Sequence, residues 1–260
     1  MRADRNNHFT GLVLACLGVV TLTAQTVPLH DIPVVTEDAA YSETDKSILG
    51  YLVRPEDDKK HPAVILIHEW WGLNETIKEN ARMFAALGYV ALAVDLYEGQ
   101  VAATPAKARE LAGEVSNNME SAFANLEQAV NFLENDTVHV IPDRLASIGW
   151  CFGGGWSYQM AKNDLGVKAS VIYYGRFNPE DDLSKMRASI LGHFGEKDRG
   201  IRIDTVTEFQ AKLKTLNGKH EIYIYPNVGH AFANPGGQNY DEEMAELAWK
   251  RTSSFLKKYL

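Results

Sequence analysis

The sequence predicts an α/β fold with a mostly parallel central sheet flanked by helices on both faces, and three observations predict it. Short apolar runs alternate with stretches of helical spacing from about Pro62 to the C-terminus. Runs such as Ala63-Val64-Ile65-Leu66-Ile67 are continuous, as a strand buried on both faces requires. The connections between runs are long enough to carry right-handed helical crossovers.

After a polar stretch from Gln25 to about Lys46, Ser47 to Val53 reads as an early strand and Pro62 to His68 as the first buried one. The next helix takes Thr76 and Glu79 as a capping-box pair, spaces Ile77, Ala81, Phe84 and Leu87 on one face, and ends where Gly88 supplies a left-handed C-cap. Tyr89 to Asp95 is a strand. Helices follow over Ala106 to Val115 and over a stretch with Ala122, Leu126, Val130 and Leu133 on one face. Leu145 to Gly149 is a strand, Gly153 to Lys162 a helix, and Val171 to Tyr174 and Ile190 to Phe194 are strands. Thr205 to Leu216 is a helix with Val206, Phe209 and Leu213 inward, Glu221 to Tyr225 the last strand, and Glu242 to Tyr259 a closing helix. Ligands on such a sheet sit beyond the carboxyl ends of its strands.

The 260 residues are 45% hydrophobic and 23% charged, enough for one sizeable core. The formal charge is −8 with both signs interspersed, so no basic face is available for phosphates and nucleic acid is excluded as a partner. Arg2 and Arg5 precede an apolar stretch from Gly11 to Leu22, and Thr23-Ala24 offers small side chains before Gln25. That is the layout of a secretory signal, and it is too short to span a bilayer comfortably. Leu12-Val13-Leu14-Ala15-Cys16 offers a second reading, lipidation at Cys16, although Leu14 is bulky where a small residue is usual. The expected organisation is a signal peptide over 1–24, an extension over 25–46 and one catalytic domain over 47–260. The mature chain is expected to have no stable membrane span, to be a monomer or small homo-oligomer, and to reach the bacterial periplasm or, on the second reading, an anchor through Cys16. Cleavage near Ala24 leaves Cys151 as the only cysteine and no intramolecular disulfide to form.

The sharpest motif is Gly149-Trp150-Cys151-Phe152-Gly153, a Gly-x-nucleophile-x-Gly elbow with cysteine at its centre, after a strand and before a helix. Small residues on either side let the turn approach its neighbours, and the helix N-terminus favours a thiolate. A buried structural thiol is the alternative reading of Cys151. A nucleophile needs a base and a carboxylate to orient it. Asp198 follows the strand Ile190 to Phe194, and His230 follows Glu221 to Tyr225, giving the order nucleophile, acid, histidine. Glu196 and Asp204 are rival acids with a solvated role as the default. His61, His139 and His220 read as surface residues and His193 as a packed core residue. At the end of the first buried strand, His68-Glu69-Trp70-Trp71-Gly72 puts a carboxylate, Glu69, on the same rim, and its tryptophans either line a pocket or, for Trp71, cap the core. The His-Glu pair lacks the second histidine of a zinc motif, so no metal and no cofactor are expected.

Together these residues resemble the dienelactone hydrolase family, from about Pro62 to the C-terminal helix. The resemblance rests on Glu69 before an aromatic-Gly turn, Asp95-Leu96-Tyr97, the cysteine elbow, Tyr173-Tyr174-Gly175 and Gly229-His230-Ala231-Phe232. It implies an α/β-hydrolase fold and a Cys151–His230–Asp198 triad with the backbone N–H groups of Trp70 and Phe152 as oxyanion hole. It also implies that Glu69 contacts the resting thiol and helps to deprotonate it, and makes Trp71, Tyr97, Tyr174 and Phe232 pocket candidates. The implied activity is hydrolysis of a small ester or lactone through a thioester acyl-enzyme, and the alternative is a non-catalytic homologue that binds a ligand in the same pocket. The founding members bind the dienelactone carboxylate with two arginines, at positions occupied here by Gly99 and Asn234. Dienelactone is therefore not the expected substrate. Arg176 is a candidate cation, with a surface salt bridge as its default use.

Overall fold

A computed structural model describes residues 32–43 and 45–260. The leader expected over 1–24, with Cys16 and Ala24, lies outside the described residues. Strands β1 (Val34–Ala39), β2 (Gly50–Pro55), β3 (His61–Ile67), β4 (Val90–Val94), β5 (Val140–Trp150), β6 (Ala169–Tyr173), β7 (Ser189–Gly195) and β8 (Glu221–Tyr225) form one sheet. Its order is β1-β2-β4-β3-β5-β6-β7-β8. The pairs β1–β2 and β2–β4 are antiparallel, and every pair from β4 to β8 is parallel.

The helices are α1 (Glu75–Ala86), α2 (Pro105–Asn117), α3 (Met119–Asn135), α4 (Phe152–Lys162), α5 (Ile203–Leu213) and α6 (Glu242–Tyr259). Ala63, Ile65 and Ile67 of β3 join a core with buried residues of α2, α3, α4 and α5. Val64 and Leu66 join a second core with α1 and α6 on the other face. Successive strand side chains point to opposite faces, so a sheet covered on both sides needs the unbroken apolar run that the sequence shows.

Three local features differ from the expectation. The polar stretch before Lys46 contains β1, an edge strand paired on one side whose Thr36, Glu37 and Asp38 are exposed, so it needs no apolar run. The cap of α1 is Asn74, whose side chain accepts from the Ile77 N–H, and this places Thr76 and Glu79 inside the helix and removes the capping box. His61, His139 and His220 are half-buried rather than free surface residues. His61 bridges Asp57 and the Gly88 carbonyl, His139 pairs with Asp136, and His220 Nδ1 accepts from the Ile190 N–H. His193 is a core residue, fully buried between the Tyr225 and Thr252 hydroxyls.

Candidate active site

The carboxyl ends of β3, β5, β7 and β8 bring the site together. Cys151 sits between β5 and α4 with φ 52° and ψ −112°, a left-handed conformation costly for a residue with a Cβ. The surroundings hold it there: its N–H donates to the Tyr173 carbonyl at 2.9 Å, and its carbonyl accepts from Gly155 at 3.2 Å. A Cβ on Gly149 would lie 2.0 Å from the Gly153 carbonyl oxygen, and one on Gly153 would lie 2.1 Å from that of Ile67. Only glycine fits at either position, which is the steric origin of the motif.

His230 Nε2 lies 3.1 Å from Cys151 Sγ, and its Nδ1 lies 2.7 Å from Asp198 Oδ2. Asp198 is buried, and its other oxygen accepts from the N–H groups of Gly200 at 2.8 Å and Ile201 at 3.1 Å. Burial alone would raise its pKa; the His230 hydrogen bond and charge and those N–H groups outweigh it and hold the carboxyl below the usual range. For His230, burial opposes the imidazolium, but hydrogen bonds to Asp198 and Cys151 and their charges prevail and lift it to about 10. Asp198 accepts from Nδ1–H, so Nε2 is the atom that exchanges a proton with sulfur. The rival acids are elsewhere engaged: Glu196 accepts from the Asn227 N–H and Asp204 pairs with Arg202, both exposed.

The peptide before Trp70 is fixed in its plane. His68 Nε2 accepts from the Leu96 N–H, so its Nδ1 carries the proton and donates to the Glu69 carbonyl at 2.6 Å, and the Gly72 N–H donates to the same oxygen. In a trans peptide the Trp70 N–H points opposite to that carbonyl and is held in a defined direction. Among the described residues neither the Trp70 nor the Phe152 N–H has a hydrogen-bond acceptor. Phe152 opens α4, where the first N–H groups have no partner within the helix. Both residues line the cavity that contains Cys151.

Glu69 is buried; one oxygen accepts from Asn234 Nδ2–H, and the carboxyl lies beside the Tyr174 hydroxyl. The sulfur is hydrogen-bonded to His230 at 3.1 Å. Burial raises the Glu69 pKa to about 7, against the Asn234 hydrogen bond and the His230 charge. The Tyr174 hydroxyl is buried beside Glu69, and burial followed by the Glu69 charge pushes it well above its ordinary value.

The cavity has a volume of about 1360 Å³ and is lined by Trp70 and Tyr174 among the predicted aromatic residues. Trp71, Tyr97 and Phe232 are not part of its lining. Trp71 packs on the core, as its second reading had it. Tyr97 is buried against His68 and Phe152 and donates its hydroxyl to the Trp70 carbonyl at 3.2 Å. Phe232 is fully buried behind Tyr174 and Tyr225. These rings support the lining. The sequence reading missed Asn239, whose Nδ2–H holds the His230 carbonyl at 2.9 Å, and the cations Arg109, Lys197 and Arg199 in the cavity wall. Lys197 and Arg199 flank Asp198 in sequence, a signal available without coordinates.

Sheet order, elbow and the approach of cysteine, histidine and aspartate from late loops define an α/β hydrolase. Residues 48–260 match the sequence profile of the dienelactone hydrolase family, and the chain belongs to that family. It is 29% identical to a provisionally named carboxymethylenebutenolidase of Methylorubrum extorquens, over 96% of this chain and 89% of that one. A protein with the same provisional name from Saccharolobus solfataricus is 30% identical over 84% of this chain and 96% of its own. The crystal structure of a provisional dienelactone hydrolase from Klebsiella pneumoniae superposes with a TM-score of 0.75 at 26% identity, covering 87% of this chain and all of that one.

Proposed function

We propose that the chain hydrolyses small esters or lactones through a thioester acyl-enzyme, with Cys151 as nucleophile, His230 as acid and base, and Asp198 orienting the imidazole. The observation that carries this reading is the unbroken line of contacts from sulfur through imidazole to carboxylate, 3.1 Å and 2.7 Å long. In the first half-reaction Cys151 Sγ attacks the carbonyl carbon. The Trp70 and Phe152 N–H groups stabilise the developing oxyanion, and His230 Nε2–H protonates the departing oxygen as the C–O bond breaks. In the second, His230 takes a proton from water, the hydroxide attacks the thioester, and the C–S bond breaks to regenerate the thiolate. Removal of one oxyanion donor typically costs about 10²- to 10³-fold in kcat.

The same reading places the mature protein outside the cytoplasm, supported by Arg2, Arg5 and the apolar stretch before Ala24. Purified Cys151→Ala assayed with 4-nitrophenyl butyrate is expected to have no turnover above background. Unchanged turnover refutes the nucleophile.

A further inference from the structure

The turn after β3 holds each of its carbonyls and leaves one donor over. The Glu69 carbonyl accepts from His68 Nδ1–H at 2.6 Å and from the Gly72 N–H at 3.2 Å. The Trp70 carbonyl accepts from the Tyr97 hydroxyl at 3.2 Å, and the Trp71 carbonyl from the Ala102 N–H at 2.9 Å. Three successive acceptors are engaged, while the Trp70 N–H has no acceptor among the described residues. An inward backbone donor without a partner is the exception in folded chains, and here it faces the site of Cys151.

These restraints trace to the Asp95-Leu96-Tyr97 motif after β4, which none of the catalytic steps uses. The buried Asp95 carboxylate accepts from the N–H groups of Tyr97 and Gly99 and so curls the turn. The Leu96 N–H then donates to His68 Nε2 at 3.2 Å. Only the neutral tautomer with its proton on Nδ1 serves both Leu96 and Glu69, and burial favours it by lowering the His68 pKa. Gly72, at φ 92°, lets the two turns meet backbone to backbone: a Cβ there would lie 2.6 Å from the Gln100 carbonyl oxygen. The same two side chains reach the second donor. The Phe152 ring stacks on the His68 imidazole, with centroids 5.8 Å and planes 16° apart, and lies 5.5 Å from the Tyr97 ring.

We infer that His68 and Tyr97 are positioning residues for the oxyanion hole. Neither lines the cavity that contains Cys151; they act through the Trp70 peptide and the Phe152 ring, and fix both N–H groups before charge develops between them. The inference rests on the hydrolase reading for its reaction, but not for the placement of the two donors.

Three variants of the full chain test it. His68→Phe keeps a ring and removes both nitrogens, His68→Asn restores a donor near the place of Nδ1–H, and Tyr97→Phe removes one hydroxyl. With 4-nitrophenyl butyrate, kcat is expected to fall about a hundredfold in His68→Phe with little change in KM, and to recover to within about tenfold of the parent in His68→Asn. Alkylation of Cys151 by iodoacetamide develops no oxyanion, and its rate is expected to match the parent's in every variant. Butyl trifluoromethyl ketone gives a readout without turnover: Cys151 Sγ bonds to the carbonyl carbon, the π pair moves to oxygen, and the resulting oxyanion enters the hole. Its affinity, read as protection of Cys151 from iodoacetamide, is expected to weaken about a hundredfold in His68→Phe and severalfold in Tyr97→Phe. Parental kcat and ketone affinity in His68→Phe, or in Tyr97→Phe should the first variant not fold, overturn the positioning role. An alkylation rate that falls together with turnover overturns it as well. A parent that hydrolyses no ester, yet loses ketone affinity on His68→Phe, upholds the positioning role and overturns the hydrolase reading; a parent with neither turnover nor ketone affinity overturns both.

Discussion

Glu69→Gln preserves the size of a buried side chain while removing its ability to ionise, and the surroundings of Glu69 fix the consequence. The residue is 7% exposed, with an amide rather than a cation as its partner and the Tyr174 phenol and the His230 imidazole as its ionisable neighbours. Its pKa rises from 4.5 to about 7. Between those values the native state binds the proton that the unfolded chain has released, so stability falls as pH rises. At 1.36 kcal/mol per pH unit, the loss is roughly 3 kcal/mol once the pH is above the native value. Glutamine carries no such dependence, and contributions from other groups cancel in the difference between the two proteins. Urea unfolding at about pH 4.5 and about pH 8 reads that difference directly. The stability of the variant minus that of the parent is expected to increase by roughly 3 kcal/mol between the two conditions. A difference that does not change with pH refutes the argument that burial keeps this carboxyl protonated.

Gly153→Ala places a Cβ 2.1 Å from the Ile67 carbonyl oxygen and 2.5 Å from that of His68. Because both are backbone atoms, α4 must shift, at a cost of about 1–3 kcal/mol in thermal or urea unfolding. The Phe152 N–H moves with α4, and ester turnover is expected to fall about a hundredfold. His230 has its pKa raised to about 10, so the stability from its charged form is complete below its ordinary value of 6.5 and is lost as pH rises through about 10. Unfolding of His230→Gln between those limits is expected to lack that part of the parent's decline. Fractionation of cells expressing the full chain is expected to recover the protein outside the cytoplasm with Gln25 at its N-terminus; a cytoplasmic protein that keeps Met1 refutes export.

Much of the site was legible in the sequence because its demands are local. The elbow announces itself because no side chain fits at Gly149 or Gly153. Asp198 and His230 are found by their places after β7 and β8, and the continuous run in β3 follows from a sheet covered on both faces. β1 was hidden because Thr36, Glu37 and Asp38 face solvent on an edge strand. Asn74 was passed over because Thr76 and Glu79 have the spacing of a capping box two residues further on. Trp71, Tyr97 and Phe232 are pocket candidates through the motifs that carry the family resemblance, yet all three pack behind the cavity rather than line it. The environment of Glu69 depends on Asn234, which approaches from a distant loop and which no local motif announces.

The central claim is that a covalent intermediate forms on one sulfur, and trapping it is the most direct test. Acid-quenched samples from the first turnovers of 4-nitrophenyl butyrate, digested and read by mass spectrometry, are expected to show a butyryl group on the peptide containing Cys151 and on no other. An acyl group on a different residue, or full turnover with Cys151 unmodified at every time point, contradicts the account.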